Sequence, residues 1–306
     1  MQFANSWNGA WLVIGVFPAL VTCALPAHAE CNLTPGPTRT VTRAIDGETL
    51  ALDDGSEVRL AGALAPRGLD AGVDEANWPL AVAAKAALAA LAEGHTVVLG
   101  YSSSAKTDRL NRHVAQVFVV EGGRETWLQG RLLSDGHARA YQQKDHRGCA
   151  DELLAFEKIA RDAGAGLWAS GAYQVRTASR PRELEGLAGT FAVLRGKVAW
   201  VAEGRQTVAL GFSPARSASW AARRGLIVMI ENGDRDLRGS FGGDPKTLEG
   251  KHVEVRGWLE QRLGRPAGTF VMDISLAGMM VVQGRATNTI AETGADAAQA
   301  PQKQPP

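Results

Sequence analysis

The chain has 306 residues and nearly balanced charge, with 33 Lys and Arg against 32 Asp and Glu, and 45% of it is hydrophobic. This is ordinary globular composition, which excludes a wholly disordered chain, a collagen-like repeat and a protein held to nucleic acid by bulk positive charge. At ~100–200 residues per domain, the length predicts two domains behind any leader.

Residues 1–29 contain no Lys, Arg, Asp or Glu, and an apolar run from Trp11 to Leu25 precedes Ala27-His28-Ala29. The run is shorter than the ~20 residues that span a bilayer, and the small-x-small triplet fits signal-peptide cleavage before Glu30. The expectation is an exported protein, periplasmic or secreted, with an N-terminal membrane anchor as the alternative. Cys23 would leave with the leader, so the mature chain keeps Cys31 and Cys149. Two thiols in an oxidising compartment predict a disulfide between them. Neither HExxH nor any paired-histidine spacing occurs among the six histidines, which argues against a zinc enzyme.

Thr38 to Ala61 reads as strands, with Thr49–Leu52 alternating, Asp53–Ser56 supplying a turn, and Val58 and Leu60 resuming the apolar face. Arg59 then points to the opposite face. Pro79 to Leu91 is Ala-rich and reads as a helix. Thr96–Tyr101 and His113–Val120 read as strands joined by the polar stretch Lys106–Arg112, and Trp127–Gly136 and Ala150–Gly164 read as helices. The order is β-β-β-α-β-β-α-α. Residues 171–186 read as a linker. Thr190–Val201, Gln206–Phe212, Gly225–Glu231, Val253–Leu259 and Thr269–Ile274 follow as strands, and five short strands suit a small OB-type barrel. The polar, aperiodic end, 286–306, reads as a disordered tail.

Four stretches in series carry a resemblance: Ala44-Ile45-Asp46-Gly47-Glu48-Thr49-Leu50, Val58-Arg59-Leu60, Thr107-Asp108-Arg109-Leu110-Asn111-Arg112, and Ala150 to Trp168 closing on Gly166-Leu167-Trp168. Together, over about residues 38–170, they resemble the staphylococcal nuclease (thermonuclease) family. The resemblance implies a five-stranded barrel with three helices that hydrolyses DNA and RNA phosphodiesters with Ca²⁺. Two Asp and a backbone carbonyl hold the ion there, a Glu activates water and two Arg clamp the phosphate. Hard oxygens suit Ca²⁺, and guanidinium gives bidentate phosphate contacts.

The transfer to this chain is partial. The resemblance puts the first metal carboxylate at Glu48, with Asp46 beside it, and the phosphate-clamping arginines at Arg59 and Arg112. It puts Arg109 and Tyr141 where phosphate and base are contacted. The second metal Asp and the water-activating Glu fall on Leu64 and Arg67, in Leu64-Ala65-Pro66-Arg67, where Pro66 fixes the register. Losing a positioned general base costs about 10²–10⁴-fold, and a guanidinium repels a divalent cation. Asp70, Asp74 and Glu75 lie downstream as potential substitute ligands.

The resulting expectation is an α+β protein, mainly β: residues 1–29 a signal peptide, 30–170 a staphylococcal-nuclease-like OB barrel, 171–186 a linker, and 187–285 a second, OB-like barrel. Its implied function is to bind nucleic acid or another polyanion through Arg59, Arg67, Arg109, Arg112 and Tyr141, with hydrolysis lost or strongly weakened. Any Ca²⁺ site would be residual, at Glu48 and Asp46. Two alternatives stay open: an active metal-dependent nuclease with a rebuilt site, and an envelope adaptor binding protein or glycan. In the adaptor reading the arginines are structural, with Arg59 and Arg112 pairing with Glu48 and Asp46. Charge does not decide between them. Residues 31–170 carry 15 basic and 18 acidic residues, and 171–306 carry 18 and 13. In that basic half, Arg216, Arg223, Arg224, Arg235, Arg238, Arg256, Arg262 and Arg265 are either polyanion contacts or solvated. Trp200, Trp220 and Trp258 are stacking residues or core.

Overall fold

A computed structural model of the chain describes residues 31–214, 224–231, 235–261, 265 and 267–283. The segments expected to be leader and tail, and Arg216, Trp220, Arg223 and Arg262, lie outside the described residues, as does the side chain of Arg235.

The first half runs β1 (Thr34–Ala44), β2 (Thr49–Leu52), β3 (Glu57–Leu60), β4 (Ala63–Leu64), α1 (Gly68–Ala71) and α2 (Pro79–Ala92). It continues through β5 (Thr96–Tyr101), β6 (His113–Glu121), β7 (Arg124–Trp127), α3 (Leu128–Ser134), β8 (Arg139–Ala140) and α4 (Ala150–Ala163). The long β1 pairs antiparallel with β2 at one end and β5 at the other, with register shifts between Val41 and Arg43 and between Pro35 and Thr38. Such irregularities let one strand turn the corner between two sheets. β2 pairs with β3, β5 with β6, and β3 runs parallel to β6, so five strands close into a barrel. Alternation places Leu50, Leu52, Val58, Leu60, Val97, Leu99, Ala115 and Val117 inside. Pro79 occupies the first turn of α2, where its missing N–H costs nothing. The helix buries Ala81, Ala84, Leu88 and Ala92, one stripe at helical spacing.

Cys31 and Cys149 form the expected disulfide, tying the start of β1 to the residue before α4. It spans 118 positions, a separation at which a cross-link contributes about 4–5 kcal/mol in the chain-entropy treatment.

The second half contains β9 (Arg176–Thr177), β10 (Phe191–Lys197), β11 (Trp200–Glu203), β12 (Thr207–Gly211) and β13 (Gly225–Glu231). After α5 (Arg235–Ser240) come β14 (His252–Trp258), β15 (Thr269–Ile274) and β16 (Met280–Val282). The strand expected over Thr190–Val201 breaks at a corner. The Val198 N–H bonds to Lys251 in one sheet, and the next N–H, from Ala199, bonds to Gly211 in the other. β10 pairs antiparallel with β14, β11–β12–β13 form a meander, and β13 runs parallel to β15. A bridge between Glu260 and Val271 joins the two sheets. This repeats the pairing scheme of the first barrel, with a helix again between the third and fourth main strands. The molecule therefore contains two OB-type barrels, and the described residues from Cys31 onward form one compact unit.

Residues 171–186 are packed instead of forming an open linker. Tyr173 is buried between the barrels, β9 pairs with β10, and Ala178 and Leu184 enter the second core. No helix among the described residues is long and apolar enough to cross a membrane.

Candidate functional site

The turn from β1 to β2 presents Asp46 and Glu48. Asp46 Oδ1 accepts the Glu48 N–H at 2.8 Å, which holds the turn. Gly47 lies so close to α2 that a Cβ would sit 2.8 Å from that of Ala84. Glu48 is nearly buried and fully engaged. Its Oε1 accepts Arg59 Nη2 at 2.8 Å and Nε at 3.1 Å, while Oε2 accepts the Ala65 N–H at 2.9 Å. Burial pushes the Glu48 carboxyl above its ordinary value, against the pull of Arg59 and the Ala65 amide.

Arg59 faces away from the barrel core, as strand alternation requires between buried Val58 and Leu60. The parallel register sets Arg59 opposite Val114. Arg112 lies in the loop just before β6, two residues ahead of Val114. Arg112 pairs with Asp108, within its own turn, through Nη2 at 2.7 Å and Nε at 2.9 Å. The adaptor reading expected Asp46 there; the reason for the change is local, since Asp108 Oδ1 also accepts the N–H groups of Leu110 and Arg112. Burial works against the Asp108 charge, but these donors hold its carboxyl below the ordinary value. Both arginine side chains stay one-fifth exposed. Arg109 and Lys106 are exposed on the same loop.

The two positions where the resemblance implies acids are built differently. Leu64 is completely buried and packs with Tyr173, Phe191 and Val193. Arg67 lies close enough to Glu48 to pull on its carboxyl, but it is not a free cation. Its Nη2 pairs with Asp70 at 3.1 Å, and its guanidinium lies 4.7 Å from the ring centre of Trp258 in the second barrel. Asp70 cannot serve as a replacement ligand, because its Oδ2 also accepts Arg139 Nη2 at 2.9 Å and the Tyr173 hydroxyl at 3.1 Å. Glu75 Oε2 accepts the Gly68 N–H, and Asp74 is exposed. The donor set does not fit Ca²⁺, which takes six to eight oxygens. Glu48 has both oxygens committed, the second carboxylate is a leucine, and no group of three or more His, Cys, Asp or Glu among the described residues is arranged for a metal.

Tyr141 packs edge-on against Phe191, with ring centres 5.4 Å apart, so it belongs to the surface between the barrels. Of the basic residues in the second half, Arg224 is exposed, and Arg238 donates to the Gly243 carbonyl. Arg265 is partly buried. Arg256 is neither solvated nor available to a polyanion: it is 3% exposed and held between Glu157 and Glu254. Trp258 lies outside its own barrel's core, on Phe191 and Arg67. Trp200 lies flat over Gly211, where any Cβ would collide with the indole.

The residues missed by sequence reasoning are Arg139, Tyr173 and Glu157, all buried between the barrels. One faint signal existed: the charged pair Glu254 and Arg256 alternates with Val253 and Val255, and the segment from 171 onward carries Tyr173 and Val175 amid polar residues.

A closed five-stranded barrel with a helix before its fourth strand, followed by α4 and a short turn carrying Leu167 and Trp168, defines an OB-type domain. The comparison with family models agrees, since the model of the staphylococcal nuclease homologues matches residues 57–170. The chain thus carries a staphylococcal-nuclease-like domain. Comparison with curated proteins finds no match.

Proposed function

We propose that this protein is an exported member of the nuclease-like class that binds nucleic acid, or another phosphate polyanion, without hydrolysing it. The observation that carries this reading is the split fate of the site. Arg59 on β3 and Arg112 on the loop leading into β6 each stay partly exposed, whereas the positions for the second metal carboxylate and the water-activating Glu are a buried Leu64 and a paired Arg67. Guanidinium groups bind phosphate without a metal. Hydrolysis additionally needs a polarised water and charge stabilisation in the transition state, and the two positions implied for that work are a buried leucine and a paired arginine. Export is supported by the leader-like residues 1–29 and by the Cys31–Cys149 disulfide, a bond that persists in oxidising compartments.

The test is cleavage and binding of labelled single-stranded DNA and RNA by the purified protein, titrated with Ca²⁺, Mg²⁺ and Mn²⁺. The expected result is binding that weakens with salt, is impaired in Arg112→Ala, and leaves the oligonucleotide intact under every metal. Metal-dependent cleavage abolished by Glu48→Gln would favour an active nuclease. Absence of any salt-sensitive binding would favour an adaptor for protein or glycan.

A further inference from the structure

One face of the β10–β14 ladder lines the second barrel's core through Ala192, Leu194, Val253 and Val255. The opposite face carries three cross-strand pairs, Phe191 with Trp258, Val193 with Arg256, and Arg195 with Glu254. In an isolated barrel this second face would meet water. Here Phe191, Val193 and Trp258 share an apolar cluster with Leu64, Leu167, Trp168 and Tyr173. Arg139 of the first barrel donates to the Phe191 carbonyl at 2.6 Å and stacks over Tyr173 at 4.5 Å. Asp70 joins Arg139, Arg67 and Tyr173, and Arg67 covers Trp258.

We propose that positions 64 and 67 are the docking surface for the second barrel, so that the edge implied to carry catalytic acids has been given over to holding the two barrels together. The two uses exclude one another. An aspartate at 64 would place a carboxylate in an apolar, fully buried position, where an unpaired charge is strongly disfavoured. A glutamate at 67 would stand beside Asp70 and forfeit the cation–π contact with Trp258. Leu64 and Arg67 therefore follow from the presence of the β10–β14 face. This inference concerns docking and does not depend on what Arg59 and Arg112 bind.

The test is amide hydrogen exchange on the full chain bearing Arg67→Glu, Arg67→Met or Trp258→Ala, with cleavage of single-stranded DNA in Ca²⁺ followed in Leu64→Asp/Arg67→Glu. Arg67→Glu should raise exchange about tenfold or more along Phe191–Arg195 and Glu254–Trp258, leaving Leu226–Ile230 at wild-type rates, as expected for local opening. Arg67→Met, which keeps the bulk, should do so less. Trp258→Ala should act reciprocally, raising exchange at Asp70, Gly72 and Val73, and it reads the coupling even where Arg67→Glu does not fold. The double variant should gain no cleavage. Exchange unchanged at both segments, a uniform rise that includes Leu226–Ile230, or Ca²⁺-dependent cleavage by a double variant with wild-type exchange would each overturn the proposal.

Discussion

At the scale of single residues, the Glu48–Arg59 pair decides how much positive charge the nuclease-like face offers. Glu48 holds Arg59 and, being nearly buried, ionises less readily than an ordinary carboxyl. Replacing Glu48 by Gln keeps an acceptor for the Ala65 N–H and removes the charge competing with phosphate. Glu48→Gln is expected to bind single-stranded DNA about two- to tenfold more tightly. Its log K–log salt slope should steepen by about 0.7, one further phosphate contact, measurable by fluorescence anisotropy. The pH dependence has a definite sign. The folded-state value lies above 4.5, so as pH falls through that value toward 4.5 Glu48 takes up a proton in the folded protein before it would in the unfolded chain. Over that window, protonation favours the folded state, frees Arg59 and strengthens polyanion binding. Glu48→Gln should abolish this rise. A rise that persists in the variant would place the titrating group elsewhere.

At the scale of elements, α4 and β14 are joined by buried charges. Glu157 accepts both Arg256 Nη groups at 2.9 Å and the Ala140 N–H at 2.6 Å. Glu254 accepts Arg161, Arg256 and Arg195. Burial opposes the Glu254 charge, yet the Arg161 hydrogen bonds and the Arg256 charge hold its carboxyl at about 2. Its contribution is therefore present above about 4.5 and is lost as pH falls from there toward 2. Arg256→Met leaves Glu157 buried with its main partner gone, and such breaks cost about 3–5 kcal/mol. Chemical denaturation should show that loss in Arg256→Met and much of it recovered in Arg256→Met/Glu157→Gln; no recovery would mean the loss is one of packing. This network also marks the limit of what was legible. The strands of both barrels could be read because alternation is local, and Arg59 between Val58 and Leu60 was assigned its face on that basis alone. Val253-Glu254-Val255-Arg256 has the same alternation, and the pattern of a half-solvated strand is identical to that of a strand whose charged face is buried. The difference lies in Glu157 and Arg161, about 100 positions away. Trp258 was not legible for the same reason, since its ring meets Arg67 of the first barrel only after docking.

At the scale of the whole molecule, two barrels of the same pairing scheme act as one body. The segment between them contributes Tyr173, Ala178 and Leu184 to buried clusters, and the shared face combines an apolar cluster with buried ion pairs. Calorimetry should therefore give a single cooperative transition for the intact chain; two resolved transitions would show barrels that unfold independently. The second barrel also accounts for Leu64 and Arg67 standing where the resemblance implies acids. Arg59 lies on β3 and Arg112 in the loop before β6, whereas Leu64 and Arg67 pack against residues of β10 and β14. The measurement that tests the account most directly is the fate of a labelled single-stranded oligonucleotide held with the protein in Ca²⁺ across a salt titration, read for affinity and length together. The account predicts an affinity that falls steeply with salt while the oligonucleotide keeps its full length. Shortening that requires Glu48, or an affinity indifferent to salt, would contradict it.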